Sequence, residues 1–311
     1  MEKQKILIAL GGNALGKNYI EQKEAVKETA KAIVDLFAAG HSVIVAHGNG
    51  PQVGMINNAF GGALNEKVVN EAMPFPECGS MSQGYIGFHI QNAIKNELNK
   101  RNIEGEVASV ITQTIVDKNS QAFKEPTKPI GPFLTEEQGK ELAKQNGWIV
   151  KEDSGRGWRR VVASPKPIDI VEKNILKKLS DDNVILIAGG GGGIPVYKEN
   201  NDLIGIDAVI DKDFTSATMA ELVDADTFII LTAVDKIIIN FGKENANPLS
   251  EISLEELEKY IAAGEFPAGS MGPKVEAVAG YVKRTGKNAY IGDLKLAGKI
   301  LSGEAGTKVY K

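Results

Sequence analysis

The chain has 311 residues, of which 42% are hydrophobic and 24% charged, and its formal net charge is −4. A chain of this length can bury a large core, and its ordinary composition excludes a disordered protein. The slight negative charge and the scattered Lys and Arg residues exclude the basic patch that a nucleic-acid partner would need.

Other counts narrow the class of protein further. A single Cys and three His residues exclude an intramolecular disulfide and argue against a structural zinc site. The longest apolar runs are far shorter than a membrane span, so we expect no membrane association and a cytoplasmic location.

Strands and helices are predicted to alternate over most of the chain. A short apolar run at 5–10 predicts a strand buried on both faces, and helical spacing over 21–39 predicts a helix that ends at Gly40. The same reasoning predicts strands at 42–46, 107–116, 184–188, 228–231, 289–291 and 307–310, and helices at 81–99, 168–179, 216–223, 255–263 and 275–284. This alternation predicts an α/β fold in three layers, with a mostly parallel central sheet between helices.

Residues 117–163 interrupt the alternation. Three Pro residues lie within 126–132, and two short strands at 148–150 and 158–162 are predicted to pair around a polar turn. We interpret 117–163 as a small inserted lid within a single domain of residues 1–311. The arginines of this segment, Arg159 and Arg160, are interpreted as solvated side chains of a half-exposed strand, in preference to an anion-binding patch.

Glycine turns follow three of the predicted strands: Gly11-Gly12-Asn13, Gly48-Asn49-Gly50, and Gly189–Gly193. None fits G-x-G-x-x-G, and no Walker A sequence occurs, so neither a dinucleotide site nor a P-loop is indicated. Any one turn is ordinary in itself. Because parallel strands deliver their carboxyl ends to one edge of a sheet, the three together predict a shared anion site.

Three lysines are candidates for phosphate contacts. Lys212 lies between Asp211 and Asp213 where a helix is predicted to begin, with Asp213 or Thr215 as the cap. Lys274 follows Pro273, which suits the first helical position, so Lys274 is predicted to lie in the first turn of a helix. Its positive charge would oppose the helix dipole there, and a bound anion would compensate it. Lys128 lies among the lid prolines. Three such charges would neutralise a transferring phosphoryl group.

Two other residues have weaker functional signals. His47 adjoins a glycine turn and could act as a general base, but a structural histidine at a strand end is the favoured interpretation. Cys78 has no basic neighbour in sequence and is interpreted as an inert thiol.

Taken together, these motifs resemble the carbamate kinase branch of the amino acid kinase family over nearly the whole chain. The matching segments are LGGNAL (10–15), HGNGPQVG (47–54), MSQGYIG (81–87), PTKPIGPF (126–133), GRGWRRVV (155–162), GGGGGIP (189–195), IDKD (210–213) and GPK (272–274). The lid and the GRGWRRVV segment carry the resemblance to that branch in particular. Leu134 departs from the aromatic residue expected at its lid position.

The resemblance implies reversible phosphoryl transfer between ATP and carbamate, in arginine catabolism, by a homodimer. By the same resemblance, Lys128, Lys212 and Lys274 would contact the phosphoryl oxygens and Asp211 would orient the lysines. The carbamate or its phosphate would be held by Gly11, Gly12, Asn13, Gly48, Asn49 and Gly50. The nucleotide would be bordered by Lys212, Ala233, Val234, Asp235, Met271, Gly272 and Lys274. Magnesium would be held by the nucleotide phosphates and water, with no protein ligand.

Two alternatives stay open at this point. One is a related kinase of another small acid, such as an acylated amino acid or a phosphonate. The other is a ligand sensor on the same fold that catalyses no reaction, although three placed lysines argue against a sensor.

Overall fold

A computed structural model of the chain describes residues 2–11, 15–16, 18–153, 155, 157–267 and 270–311. The strands in these ranges are β1 (Lys5–Leu10), β2 (Ser42–His47), β3 (Glu106–Ser109), β4 (Gln113–Ile115), β5 (Lys128–Leu134), β6 (Ile149–Glu152), β7 (Trp158–Val162), β8 (Asp169–Ile170), β9 (Val184–Ile187), β10 (Ile194–Glu199), β11 (Asp202–Gly205), β12 (Thr227–Thr232), β13 (Ile237–Ile239), β14 (Asn247–Leu249), β15 (Glu251–Ser253), β16 (Ala289–Asp293) and β17 (Thr307–Tyr310). The helices are α1 (Tyr19–Ala38), α2 (Gly50–Asn65), α3 (Phe75–Lys100), α4 (Glu136–Asn146), α5 (Lys173–Ser180), α6 (Lys212–Leu222), α7 (Leu254–Ala262), α8 (Met271–Thr285) and α9 (Ala297–Ile300).

Eight strands form the central sheet in the order β15-β17-β16-β12-β1-β2-β9-β3. The pairings are parallel except for β16 with β17. Strand β1 lies near the middle, and its side chains alternate between two apolar cores. Leu7 and Ala9 face the core under α6 and α8, whereas Ile6 and Ile8 face the core under α1 and α3. The predicted three-layer α/β class with a mostly parallel sheet is confirmed.

The lid contains a separate sheet of the order β5-β7-β6, with α4 packed against it. Both pairings are antiparallel, as predicted for the two strands on either side of the polar turn. The division into one domain of 1–311 with an inserted lid at 117–163 stays a prediction.

Several predicted elements differ in detail. The single strand predicted at 107–116 is two strands, β3 and β4, which belong to different sheets. The helix predicted at 168–179 begins only at Lys173, after the short strand β8. Helix α2 was not predicted, because four glycines and a proline lower its helix propensity. Helices in the described ranges lack the combination of length and apolar character that a membrane crossing requires.

Candidate active site

Strands β1, β2 and β9 are neighbours in the sheet, so Gly11 and the turns at 48–50 and 189–193 reach the same edge, as predicted. Helices α6 and α8 pack against each other nearby. Their first turns supply Lys212 and Lys274 to this edge. The site is therefore built where parallel strands end and helices begin, which is where doubly wound sheets bind ligands.

Asp213 holds two of the predicted lysines together. One carboxylate oxygen, Oδ1, accepts from Lys212 Nζ at 2.5 Å, and Oδ2 accepts from Lys274 Nζ at 2.9 Å. The Asp213 side chain is only 4% exposed, against 13% and 17% for the two lysines. Two ammonium groups from different helices are thus fixed side by side through one buried carboxylate.

The electrostatics of this group follow from burial and pairing. Burial opposes ionisation of Asp213, but Lys212 and Lys274 outweigh it and hold the pKa of that carboxyl at about 2. Burial lowers the pKa of Lys212, as does the neighbouring charge of Lys274, while Asp213 opposes the shift. With both lysines charged, Asp213, Lys212 and Lys274 together carry one excess positive charge, which favours the binding of an anion.

Lys128 reaches the cluster from the lid. It lies at the start of β5, and its Nζ is 2.5 Å from Asp211 Oδ2. The other oxygen of Asp211 accepts from the Asp213 N–H at 2.9 Å and so caps α6. Asp211 therefore joins the lid to the helix that carries Lys212. The resemblance implied that Asp211 orients the lysines; geometrically it pairs with Lys128, and Asp213 pairs with the other two.

Two local predictions at these helices are wrong. Helix α6 is capped by Asp211 and not by Asp213 or Thr215, since the helix begins at Lys212, four residues earlier than expected. Helix α8 begins at Met271, so Pro273 is its third residue instead of its first. Lys274 nevertheless remains in the first turn and a half of α8, where its charge opposes the helix dipole and the Asp213 carboxylate compensates it.

Gly48 lies against Lys212, and Gly11 lies against strand β12. The aliphatic stem of Lys212 packs on Gly48, where a Cβ would meet it at 3.4 Å. Gly11 donates its N–H to Leu231 at 2.8 Å, and a Cβ there would meet the same carbonyl oxygen at 2.8 Å. Gly12 and Asn13, the other predicted substrate contacts in this turn, lie outside the described residues.

Asn49 and Gly50 open helix α2 beside the second turn. Asn49 precedes the helix, and its side-chain amide donates to Ser82 at 2.9 Å. Gly50 is exposed at the first helical position, where backbone N–H groups have no partner within the helix. An anion at this helix end would find free N–H donors.

The third turn packs against Thr114, Thr215 and Asn49. Gly189–Gly193 is buried, and the Gly192 carbonyl accepts from the hydroxyls of Thr114 and Thr215 at 2.9 and 2.8 Å. A Cβ at Gly191 would meet Asn49 Nδ2 at 2.1 Å. Glycine is needed here because the turn packs between the start of α2 and the approach to α6. That all three turns share one anion site stays a prediction.

His47 and Cys78 follow their predicted structural roles. His47 is buried, and its Nδ1 lies 2.8 Å from the Gly48 carbonyl, which requires that nitrogen to carry the proton. Burial lowers the pKa of His47 to about 4, which keeps the ring neutral near pH 7. Burial likewise raises the pKa of the Cys78 thiol, away from the thiolate that a nucleophile requires.

The predicted nucleotide-binding residues lie along the next part of the same edge. Ala233 and Val234 are exposed after β12, and Asp235 accepts from the Gly306 N–H at 3.0 Å. Met271 and Gly272 open α8 two to three residues before Lys274. Met271 and Gly272 therefore lie close in sequence to Lys274, and the role of all five residues at a nucleotide stays a prediction.

Asp213 is the functional candidate that sequence reasoning assigned to the wrong role. The sequence did contain an indication of this role, because Lys212 lies between two aspartates and either of them could form an ion pair with it. Among the described residues, no group of three or more His, Cys, Asp and Glu side chains is placed to hold a metal ion.

The chain is similar in sequence and in structure to known proteins. Residues 4–293 match the profile of the amino acid kinase family. The carbamate kinase of Clostridium perfringens is 50% identical, over 99% of this chain and 100% of that protein. The carbamate kinase-like protein YqeA of Escherichia coli is 53% identical, over 98% and 99%. The structure of Giardia lamblia carbamate kinase bound to AMP-PNP superimposes with a TM-score of 0.91 at 41% identity, over 99% of both chains.

Proposed function

The chain belongs to the amino acid kinase family, and from this premise we propose that it is a carbamate kinase, a phosphotransferase acting on ATP and carbamate. In the reverse direction, the bond between the carbamate oxygen and phosphorus of carbamoyl phosphate breaks, and a bond forms to the terminal oxygen of ADP. The observation that carries the proposal is the convergence of Lys128, Lys212 and Lys274 on two neighbouring aspartates at one sheet edge.

The lysine cluster suits the charge of this reaction. A transferring phosphoryl group spreads negative charge over its equatorial oxygens, and fixed ammonium groups stabilise that charge without reorganising. We assign Lys212 and Lys274 to the phosphoryl oxygens from the body of the protein, and Lys128 to them from the lid. In this role the lysines exchange part of their contact with Asp211 and Asp213 for contact with the substrate.

No general base is required. Carbamate already presents an anionic oxygen, so positioning and charge neutralisation account for the chemistry. A neutral, buried His47 that donates to the Gly48 carbonyl is consistent with this, since it can orient the glycine turn without exchanging a proton with the substrate. The turns at Gly11 and Gly48–Gly50, with Asn49, are assigned to carbamate or its phosphate.

The nucleotide is assigned to the edge bordered by 233–235 and 271–272, next to Lys212 and Lys274. The Giardia relative bound to AMP-PNP supports an ATP site in this family. The two carboxylates nearest the lysines, Asp211 and Asp213, are each occupied by ammonium and N–H donors. We therefore expect Mg²⁺ to be held by nucleotide phosphates and water, where it would neutralise phosphate charge.

We further propose a cytoplasmic homodimer that acts in arginine catabolism. Helix α3 exposes apolar side chains, among them Phe88 at 57% and Met81 at 37%, and a partner chain would cover such a surface. Light scattering after gel filtration would test the dimer, and a mass of one chain would contradict it.

The test of the function is ATP formation from carbamoyl phosphate and MgADP by the purified protein, measured with a coupled assay. Lys212→Ala should abolish turnover while its circular dichroism shows a folded protein under the assay conditions. Lys27→Ala, an exposed lysine on α1, is the matched control and should be fully active. Full activity of Lys212→Ala would contradict its assigned role.

A folded parent protein that forms no ATP would contradict carbamate kinase activity. A panel of other small acids with MgATP would then distinguish a related kinase from a sensor. Turnover of one acid would identify the related kinase, and nucleotide binding without any turnover would favour the sensor.

A further inference from the structure

A cavity lies between the lid and the body of the protein, outside the lysine cluster. Its volume is about 770 Å³, and it is walled by α2, the start of α3 and the lid sheet with α4. None of Lys128, Lys212 and Lys274 lines it. It lies outside the site proposed for phosphoryl transfer and needs an explanation of its own.

The pairing of residues in the lid sheet shows how the cavity is separated from the lysine cluster. Lys128 pairs with Val162, and Ile130 pairs with Arg160, so all four side chains share one face of the sheet. Ile130 and Val162 pack with Val53 of α2 in an apolar cluster. Lys128 thus reaches the lysine cluster on one side of this apolar contact, and Arg160 faces the cavity on the other.

Arg160 is held between two aromatic rings. Its guanidinium carbon lies 4.6 Å from the ring centre of Trp148 on the lid and 5.1 Å from that of Phe75 on α3. One nitrogen, Nη1, donates to the Asn57 side-chain oxygen at 3.2 Å. Both rings and the amide hold the guanidinium in place, and Arg160 also lines the cavity.

No carboxylate pairs with Arg160 within the part of the chain that the structure describes. Its neighbour Arg159 differs, since it donates to Asp153 at 3.1 Å. Asp207 lines the same cavity, but it accepts from the Phe75 N–H at 2.9 Å and forms no ion pair with Arg160. The interpretation of both arginines as solvated side chains is therefore wrong. Arg160 is a fixed, partly buried cation that feels the charge of Asp207 but has no direct ion pair within the described residues.

We propose that this cavity binds a small organic carboxylate, with Arg160 as the group that recognises the carboxylate. A guanidinium pairs with a carboxylate through two parallel hydrogen bonds. The walls supply apolar surface for the rest of the ligand, from Trp148, Phe75, Leu134 and Leu142. A free phosphate fits less well, because the cavity offers one cation, large apolar walls and the negative charge of Asp207.

The ligand would touch both the lid and the body of the protein. Trp148 and Leu142 belong to the lid, whereas Asn57 and Phe75 belong to the body. Binding would therefore favour the closed arrangement of lid and body by mass action, since an open lid would separate the two walls. This site adds to the proposed kinase reaction, and its occupancy is measurable without any turnover.

The test uses Trp148 as the reporter. In a Trp158→Phe background Trp148 is the remaining tryptophan, and its fluorescence is titrated with succinate, benzoate, benzamide and inorganic phosphate. We expect saturable binding of succinate or benzoate, accompanied by a rise in unfolding temperature. Benzamide, which has the shape of benzoate without its charge, should bind at least 10-fold more weakly.

Two variants keep the proposal open to contradiction. Arg160→Gln should weaken carboxylate binding at least 10-fold, and Asn57→Asp should do the same by placing an internal carboxylate beside the intact guanidinium. Lys140→Gln on the exposed face of the lid and Lys212→Ala in the lysine cluster should both bind as the parent does. The proposal would be overturned if neither carboxylate saturated below about 10 mM or if phosphate were preferred. It would also be overturned if binding were unchanged in Arg160→Gln or if the signal were lost in Lys212→Ala.

Discussion

The Lys274 ammonium donates a 2.9 Å hydrogen bond to the Asp213 carboxylate across 61 residues of chain. Each residue lies in the first turns of its own helix, where a lysine alone would be unfavourable and an aspartate favourable. Their contact joins the two helices at the sheet edge. The position of both lysines of the body thus depends on one buried carboxylate.

Replacing Asp213 with Asn should therefore cost both stability and activity. The substitution keeps the shape but leaves two partly buried ammonium groups, Lys212 and Lys274, without their shared counter-charge. Removing one partner of a buried ion pair typically costs about 3–5 kcal/mol. We expect a loss of that size in the free energy of unfolding, measured with urea, and a turnover at least about 10²-fold lower.

The matched control for that experiment is Asp35→Asn, which removes an exposed ion pair with Arg101. Exposed pairs contribute about 0–1 kcal/mol, so this variant should unfold and turn over as the parent does. An Asp213→Asn protein with parent-like stability would contradict the bridging role.

Lys128→Ala tests the contribution of the lid to catalysis separately from that of the two lysines in the body. Lys128 contacts only Asp211 in the described residues, and it reaches the cluster from β5. We expect turnover to fall by about 10²–10³-fold while the affinity for MgADP, measured by calorimetry, stays within about 2-fold of the parent. Lys140→Ala, an exposed lysine of α4, is the control and should be fully active. A large loss of MgADP affinity in Lys128→Ala would place the lysine at the nucleotide instead.

His47 should make stability depend on pH in a defined window. Burial lowers the pKa of His47 to about 4 in the folded protein, against 6.5 for an unperturbed histidine. Between those values the unfolded chain binds a proton that the folded protein does not, so folding stability falls as pH drops from 6.5 to 4. The loss amounts to about 3 kcal/mol, since one pKa unit is worth about 1.4 kcal/mol.

The comparison that isolates this effect is between the parent and His47→Asn over pH 4–7, by urea unfolding. The Asn variant should lose most of the slope in that window, whereas His89→Asn should keep most of it. Equal slopes in the parent and in His47→Asn would show that the ring is protonated in the folded state.

The sequence was sufficient for the parts of the site that are determined locally. Apolar runs ending in glycine predicted β1, β2 and β9, and the parallel alternation placed their turns at one edge. The three lysines were found because helix starts and prolines mark them. Each of these signals lies within about ten residues of the feature it predicts.

Features that depend on contacts between distant segments were missed. The bridging role of Asp213 needs Lys274 beside it, and the pairing of Lys128 with Asp211 needs the lid folded onto the body. Arg160 resembled a surface residue because Phe75 and Trp148, which enclose it, are distant in sequence. Helix α2 was hidden by the same glycines that let the lid approach it.

The close approach of the lid to the glycines of α2 gives a test of lid closure. Gly54 of α2 lies against Gly131 of β5, where a Cβ would meet the Gly131 backbone nitrogen at 3.1 Å. Valine at position 54 would need space that only a displaced lid could provide. We therefore expect Gly54→Val to hold the lid away from α2, separate Lys128 from Asp211, and raise the KM for carbamoyl phosphate more than it changes MgADP affinity.

Hydrogen exchange measures the displacement directly. In the parent, substrates should increase the protection of β5 and β7, because closure covers their inner face. In Gly54→Val that protection should be low with and without substrates. Gly61→Val is the matched control, since it places the same β-branched residue in the same helix where no atom lies within 4 Å of the added Cβ. If both variants exchange and turn over alike, the effect belongs to helix propensity, and the contact between α2 and β5 does not control closure.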